Sequence, residues 1–240
     1  MNFEVFKEEL IKKSKKLEID LKNNQIENFY KYMNTLIEWN EKINLTAITE
    51  PKEIILKHFV DSLTISKYIN SGAKVIDVGT GAGFPGIPLK IIRDDIEVLL
   101  LDSLNKRIKF LNEIIEKLEL KNIKTIHSRV EEIGRDKSFR EMFDVATSRA
   151  VANMSILSEY LLPLIREKGF AICMKGSDFG DELKSGEKAI KILGGKIKTI
   201  KEFYLPESEI KRGLIILEKE KITPNKYPRK PGIPTKEPLI

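Results

Sequence analysis

Three glycines alternate through Gly79-Thr80-Gly81-Ala82-Gly83, directly after the apolar run Val75-Ile76-Asp77-Val78 and ahead of Phe84-Pro85-Gly86. A strand feeding such a loop, with a helix behind it, lets the backbone turn sharply and come close to a ligand. Two cofactor chemistries use that device. From Gly81, the string Gly81-x-Gly83-x-x-Gly86 matches the dinucleotide fingerprint, in which a pyrophosphate rests on the helix N-terminus. From Asp77, it is Asp-x-Gly-x-Gly-x-Gly, the loop that seats S-adenosylmethionine. Register separates the two. The first glycine of the fingerprint should close the strand, which is Gly79, and the third slot then falls on Phe84. Pro85 also has no N–H to offer a phosphate. A sulfonium cofactor carries no phosphates, and Asp77 at the strand end suits its ammonium group. The loop favours the methyl donor, with a nicotinamide-dependent oxidoreductase as the enzyme alternative.

The next strand ends are informative too. Asp102 closes Val98-Leu99-Leu100-Leu101, 25 residues beyond Asp77, where an acidic side chain accepts ribose hydroxyls in either cofactor family. It also suits the N-cap of a helix beginning near Leu104. Ser128-Arg129-Val130-Glu131 follows the third apolar run, where backbone and side chain would edge an adenine. Arg149, after Phe143–Thr147, sits at the carboxyl end of the fourth, the side on which such sheets bind ligands. No general base accompanies these residues. His58 and His127 are the only histidines and lie far apart, and the single cysteine, Cys173, is embedded in Phe170-Ala171-Ile172-Cys173-Met174. That context makes the thiol a small buried hydrophobe, and no metal-ligand spacing is present.

The elements that must hold these residues follow from periodicity. Ile26, Phe29, Tyr30, Met33, Leu36 and Ile37 form one helical stripe, and Pro51 starts another carrying Ile54, Ile55, His58, Phe59 and Leu63. From Ala73 onward, the runs Val75–Val78, Ile96–Leu101, Ile123–His127, Phe143–Thr147 and Phe170–Met174 alternate with amphipathic stretches such as Leu104–Leu118 and Asn153–Ile165. That alternation predicts a parallel sheet covered by helices. Lys196–Tyr204 and Gly213–Glu218 leave no room for a helix between them and predict an antiparallel pair at the sheet's end. The fold expected is α/β: a doubly wound, mostly parallel seven-stranded sheet, Rossmann-like in the manner of class I methyltransferases, with an N-terminal helical extension. The divisions are residues 1–70 for the extension, 71–220 for the cofactor-binding domain and 221–240 for a basic tail.

Composition narrows the setting. The chain has 42 Lys+Arg against 36 Asp+Glu, a net charge of +6, and six basic against two acidic residues from Lys219 onward. Most of the excess is therefore in a tail that also holds five of the ten prolines and should be extended. One cysteine excludes an internal disulfide, and neither a signal-peptide core nor a membrane-length apolar run is present. A cytoplasmic monomer without metal is the expectation.

With these strings in view, the sequence resembles the small-subunit ribosomal RNA methyltransferase G family, formerly called glucose-inhibited division protein B. The resemblance rests on Asn44-Leu45-Thr46-Ala47-Ile48, His58-Phe59-Val60-Asp61-Ser62-Leu63, Asp77 to Gly86, Ser148-Arg149-Ala150-Val151 and Tyr227-Pro228-Arg229-Lys230-Pro231-Gly232-Ile233-Pro234. It runs from about Phe29 to the C-terminus. It implies methyl transfer from S-adenosylmethionine to N7 of one guanine in 16S rRNA, on naked rRNA or the small ribosomal subunit. It places Gly79 and Phe84 beside the cofactor, Val130 and Glu131 along its adenine, and Arg149 at the junction of cofactor and substrate. The loop and strand arguments add Asp77, Gly81, Gly83 and Asp102.

Guanine N7 carries no proton, so transfer to it needs alignment and no general base, and alignment can contribute about 7–11 kcal/mol. A guanidinium forked onto O6 and N7 would block the nucleophile, so Arg149 is expected to position. The N7 edge lies in the deep groove of A-form RNA, so the target base must be unpaired or swung out. Expected RNA contacts are Arg129, Lys175, Arg212, Lys226, Arg229 and Lys230. The non-enzyme alternative, a ribosome-assembly RNA-binding protein with a vestigial methyltransferase fold, would predict erosion of the glycine loop. Gly79, Gly81, Gly83 and Asp102 are all present.

Overall fold

Asn2 caps the first helix, α1 (Phe3–Lys15), by accepting from Val5 N at 3.0 Å, so the segment ahead of the recognisable motifs is ordered helix. In α2 (Asn23–Asn40) the expected stripe is buried through Ile26, Phe29, Met33 and Leu36. Glu50 caps α3 (Pro51–Ile54) with Pro51 in its first turn. The single helix expected from Pro51 is interrupted. A π-helical turn, Ile55–Val60, separates α3 from the short α4 (Asp61–Leu63). The structure is a computed structural model and describes residues 1–149 and 151–239. Ala150, part of the Ser148–Val151 string, lies outside the described residues.

The strands are β1 (Lys74–Val78), β2 (Glu97–Asp102), β3 (Ile123–His127), β4 (Phe143–Arg149), β5 (Ile165–Lys175), β6 (Gly195–Tyr204) and β7 (Lys211–Lys219). They form one seven-stranded sheet in the order β3-β2-β1-β4-β5-β7-β6. The first five are parallel, and β7 inserts antiparallel between β5 and β6. The expected sheet and its closing antiparallel pair are both present. Two boundaries differ from expectation. Pro163 closes the helix after β4 early, so β5 begins at Ile165, five residues before the apolar run at Phe170. Arg149 is the last residue of β4 rather than the first beyond it.

Helices α5 (Gly86–Ile92), α6 (Asn105–Lys117), α7 (Val130–Ile133), α8 (Met154–Leu161) and α9 (Gly180–Ile192) connect the strands. Two apolar clusters result. One joins α1 and α2, through Phe6, Phe29, Tyr32 and Leu36, to Phe59, Phe84, Phe110 and the sheet residues Val75, Val98 and Leu100. The other joins Ile76, Ala146 and Cys173 to Leu157, Leu161, Leu183, Ile190 and Tyr227 of the tail.

The tail departs from the extended form expected. It carries a short helix, α10 (Ile233–Lys236), and is bonded to the core along its length. Arg140 donates to the carbonyls of Tyr227 and Thr223 at 2.7 and 2.6 Å, and Arg135 to that of Pro228 at 2.7 Å. Among the described residues, no helix is long and apolar enough to cross a membrane.

Candidate active site

The glycine loop is fixed from three directions. Gly79 N and Thr80 N both donate to the carbonyl of Leu101 on β2, at 2.9 and 3.1 Å. Gly81 N donates to Asp102 Oδ2 at 2.9 Å. Beneath the loop, Asp77 Oδ2 accepts from Thr80 Oγ1 at 2.6 Å and from Gly86 N at 2.8 Å. Gly79 has φ +66°, and a Cβ there would lie 2.7 Å from Val151 Cγ2. At Gly81 a Cβ would meet nothing within 4 Å, because that residue faces the cleft.

Two residues expected at the cofactor also hold the loop from within. The Asp77 carboxylate is fully buried and faces the underside of the loop, and burial pushes its pKa up to about 6 against the pull of Thr80 and Gly86. Its Oδ2 shapes the loop, and its Oδ1 is buried without a hydrogen-bond partner. Gly83, with φ +94°, makes room for packing. A Cβ there would lie 2.5 Å from Ile87 Cδ1 and 2.7 Å from the Tyr32 hydroxyl. That hydroxyl donates to the Ala82 carbonyl, and the Tyr32 ring stacks on Phe84 at 5.3 Å. Thus α2, from the N-terminal extension, braces the loop.

The first turn of α5 cannot receive a pyrophosphate. Gly86 N is held by Asp77, Ile87 N donates to Gly83 O at 2.8 Å, and Pro88 has no N–H. An anion would find no free donor there, so the geometry argues against the dinucleotide reading of the loop.

Asp102 is buried at the end of β2. Its Oδ1 accepts from Leu104 N at 2.9 Å, ahead of a helix whose N-cap is Leu104 and not Asp102 as the sequence suggests. Its Oδ2 accepts from Gly81 N and, at 3.2 Å, from Arg107 Nη1. A carboxylate offers about four acceptor sites, so one remains with Arg107 in place and two without it. Asp102 lines a cleft of about 680 Å³ together with Gly79, Gly81, Phe84 and Arg149. A second recess of about 200 Å³ shares Gly79, Asp102, Ser103 and Val151 with that cleft. It continues past Arg129, Val130 and Glu131 to Tyr160, so the stretch expected beside an adenine borders this recess.

At the other end of the cleft, Arg149 makes three hydrogen bonds to protein. Its Nη1 donates to Lys57 O at 3.0 Å and Asp61 Oδ2 at 3.3 Å, and its Nη2 to His58 Nδ1 at 3.1 Å. The guanidinium lies 5.0 Å from the centroid of Phe84, on which His58 stacks at 4.4 Å. The π-turn makes this possible. Asp61 N donates to Leu56 O and His58 O, whereas in an α-helix it would take Lys57 O, so the Lys57 carbonyl is open to Arg149. Such turns recur at functional sites.

A guanidinium can only donate, so Nδ1 of His58 accepts and Nε2 carries the proton, which it gives to Thr46 Oγ1 at 2.9 Å. Burial, followed by the charge of Arg149, lowers the imidazole pKa to about 3. His58 is therefore neutral and both of its nitrogens are engaged. Asp61 accepts from Arg149 and from Arg212 Nε at 3.2 Å. Burial raises its pKa, and the two arginines oppose that rise.

Sequence comparison supplies the family. Residues 25–211 match the family model described as rRNA small subunit methyltransferase G. The ribosomal RNA small subunit methyltransferase G of Desulforamulus reducens is 53% identical over 228 residues, covering 94% of this chain and 95% of that protein. That of Clostridium tetani is 53% identical over 223 residues, covering 92% and 93%. The chain belongs to the rRNA small subunit methyltransferase G family. More distant solved structures share the fold. A SAM-dependent methyltransferase from Aquifex aeolicus aligns with TM-score 0.53 at 16% identity, over 76% of this chain and 98% of that one. M. jannaschii TYW2, solved in complex with AdoMet, aligns with TM-score 0.53 at 15% identity, over 68% and 75%.

In this methyltransferase G chain the cationic residues divide sharply. Arg229 is paired within the protein. Its backbone N and guanidinium together clasp Glu159, a carboxylate with no exposed surface, at 2.7–3.2 Å. Lys175 lines the cleft, but its ammonium is held by Ala152 O and Glu182, each at 2.6 Å. Arg212 also lines the cleft, with Nε on Asp61 and Nη1 on Lys211 O at 3.3 Å, and its Nη2 has no hydrogen-bond partner among the described residues. Arg129 borders the recess, and Lys226 and Lys230 are exposed, with Lys226 5.2 Å from the Tyr227 ring.

Sequence reasoning does not single out Tyr32, Arg107 or Tyr160, and it assigns no role to Thr46, His58 or Asp61. The i, i+3 spacing of His58 and Asp61 on an apolar helix is a local sign of a shared face, but nothing local ties them to Arg149. Among the described residues, no group of three or more His, Cys, Asp or Glu is placed to hold a metal.

Proposed function

We propose that the chain transfers the methyl group of S-adenosylmethionine to N7 of a guanine in 16S rRNA, acting as a cytoplasmic monomer on the RNA or the small subunit. The observation that carries this is the pairing of a cofactor-shaped cleft with a methyl-end wall that lacks a free base. The cleft fits the cofactor on its own terms. Gly81 leaves open space where any side chain would intrude, Asp102 offers acceptors at the strand end expected for a ribose, and the Val130–Glu131 recess is a separate compartment for a base. Gly79, Phe84 and Arg149 line the cleft between them.

When bound, the cofactor supplies an electrophilic methyl group on a sulfonium. The protein's task is to place an N7 lone pair in line with it. His58 and Asp61 are committed to Arg149 and Arg212 and take no proton from the substrate. Arg149, with three of its five N–H donors on protein acceptors and its guanidinium laid against Phe84, holds that wall rigid. Arg212, which lines the cleft with no hydrogen-bond partner on Nη2 among the described residues, is the guanidinium we assign to O6 or a phosphate. Closing such a wall around the base also excludes water.

The test is transfer of labelled methyl to naked 16S rRNA, isolated small subunits and whole ribosomes, with the product base mapped. N7-methylguanine at one position is expected. A methylated exocyclic or ring-protonated nitrogen would contradict the missing base, and binding of the RNA with no transfer would favour the assembly-factor alternative.

A further inference from the structure

The C-terminal tail ends where the recess lined by Val130 and Glu131 begins. Gly232 N donates to Glu131 Oε1 at 3.0 Å, and the Thr235 and Tyr160 hydroxyls meet at 3.2 Å. Glu131 and Tyr160 both line that recess. They belong to different helices, α7 and α8, so the short stretch from Gly232 to Thr235 bridges opposite parts of its wall. The bridge is held rigidly from behind. Arg229 clasps buried Glu159, the residue before Tyr160. Arg135 and Arg140, just past α7, bind the carbonyls of Pro228 and Tyr227. Pro228 packs so closely on Gly134 that a Cβ there would lie 2.7 Å from Pro228 Cγ.

We infer that the tail is part of the cofactor site: residues 232–235 brace Glu131 and Tyr160 so that the recess keeps the shape of an adenine nucleoside. The basic tail then acts on the methyl donor and not chiefly on RNA. This deepens the functional reading above and rests on it. A ligand filling the recess favours the braced wall, and by linkage the braced wall favours the ligand to the same degree. Gly232 is the sensitive point. It has φ +83°, and a Cβ at that position would meet nothing within 4 Å, so alanine there strains the turn without touching the recess.

Two measurements on the full-length chain test this. In the wild type, saturating S-adenosylhomocysteine should slow amide exchange at Gly232 and trypsin cleavage after Lys236 at least fivefold. In Gly232→Ala/Thr235→Val, calorimetry should show affinity for S-adenosylhomocysteine and for 5′-methylthioadenosine falling by the same factor, about tenfold. The shared factor locates the defect at the nucleoside end, which both probes carry. Affinity for 16S rRNA without cofactor should change less than twofold. Unprotected tail amides together with unchanged nucleoside affinity would overturn the inference, as would a loss confined to RNA binding. Failure of the wild type to bind S-adenosylhomocysteine at all would instead sink the methyltransferase reading.

Discussion

Arg149 enters the cleft already holding a carbonyl, a carboxylate and an imidazole, and it lies against an aromatic face. Removing it to alanine would leave Asp61 with Arg212 alone and the Lys57 carbonyl without a partner, so stability would fall along with activity. Lysine is the cleaner probe, because it keeps the charge but lacks the fork that reaches three acceptors. Arg149→Lys should lower the rate of methyl transfer about a hundredfold, the scale of a 1 Å misplacement at a reacting centre, while affinity for S-adenosylhomocysteine changes severalfold at most. A rate within a factor of three of the wild type would show that this wall does not align the reaction. His58 gives a second test, in pH. Its folded pKa of about 3 lies below the unfolded 6.5, so the stability gained by keeping it neutral is present above pH 6.5 and is lost as pH falls toward 3. Between pH 7 and pH 5 the stability gap between the wild type and His58→Asn should therefore narrow by about 2 kcal/mol. A gap independent of pH would mean that the ring titrates in the folded protein as it does in the unfolded one.

The loop, and not any one residue, decides whether the methyl donor is seated, and it is braced from outside the sheet. Tyr32 on α2 donates to the Ala82 carbonyl and stacks on Phe84, with the Gly83 backbone against its hydroxyl. Tyr32→Phe keeps the ring and leaves a buried carbonyl unpaired, at a cost of about 1–3 kcal/mol. Calorimetry should also find S-adenosylhomocysteine bound severalfold more weakly, since the loop it contacts loses a tether. A drop in Tm with unchanged affinity would reduce the brace to plain packing. This element also shows what sequence can and cannot reveal. Asp77 to Gly86 and Asp102 are legible because strand and turn are local patterns. Even there, the loop-holding contacts of Asp77 and Gly83 are not legible, since a carboxylate facing a loop's underside and one facing the cleft have the same sequence. The partners of Arg149 at His58 and Asp61 lie 91 and 88 residues away, and Tyr32 lies 50 from Ala82. Such pairings are set by how α2 and the π-turn dock on the sheet, and no periodicity encodes that. The tail is illegible for the same reason. Arg229 counts as a free cation in a charge profile, while its partner Glu159 is 70 residues distant.

At the scale of the whole molecule, the helices before β1 and the sheet bury each other. Phe6, Phe29, Tyr32 and Leu36 have no exposed surface, and they lie in one cluster with Phe59, Phe84, Phe110 and Leu100. A tilted Phe29–Phe59 pair at 5.0 Å and a Trp39–Phe110 edge contact at 5.6 Å tie α2 to the π-turn and to α6. Deleting residues 1–41 would remove one side of these contacts and expose the other. With Leu10, Ile26 and Met33, seven large residues of this segment are buried, and at roughly 2 kcal/mol each they come to about 14 kcal/mol, as much as the whole net stability of a typical domain. The shortened chain, although it keeps the entire sheet and glycine loop, should not fold cooperatively. Circular dichroism on heating should show no sharp transition, and a hydrophobic dye should bind strongly at about 25 °C. The deletion also removes Tyr32, so S-adenosylhomocysteine should give no thermal protection. A truncated chain that melts sharply and is stabilised by that ligand would show that the sheet and its own helices suffice, and that the first 41 residues serve the substrate rather than the fold.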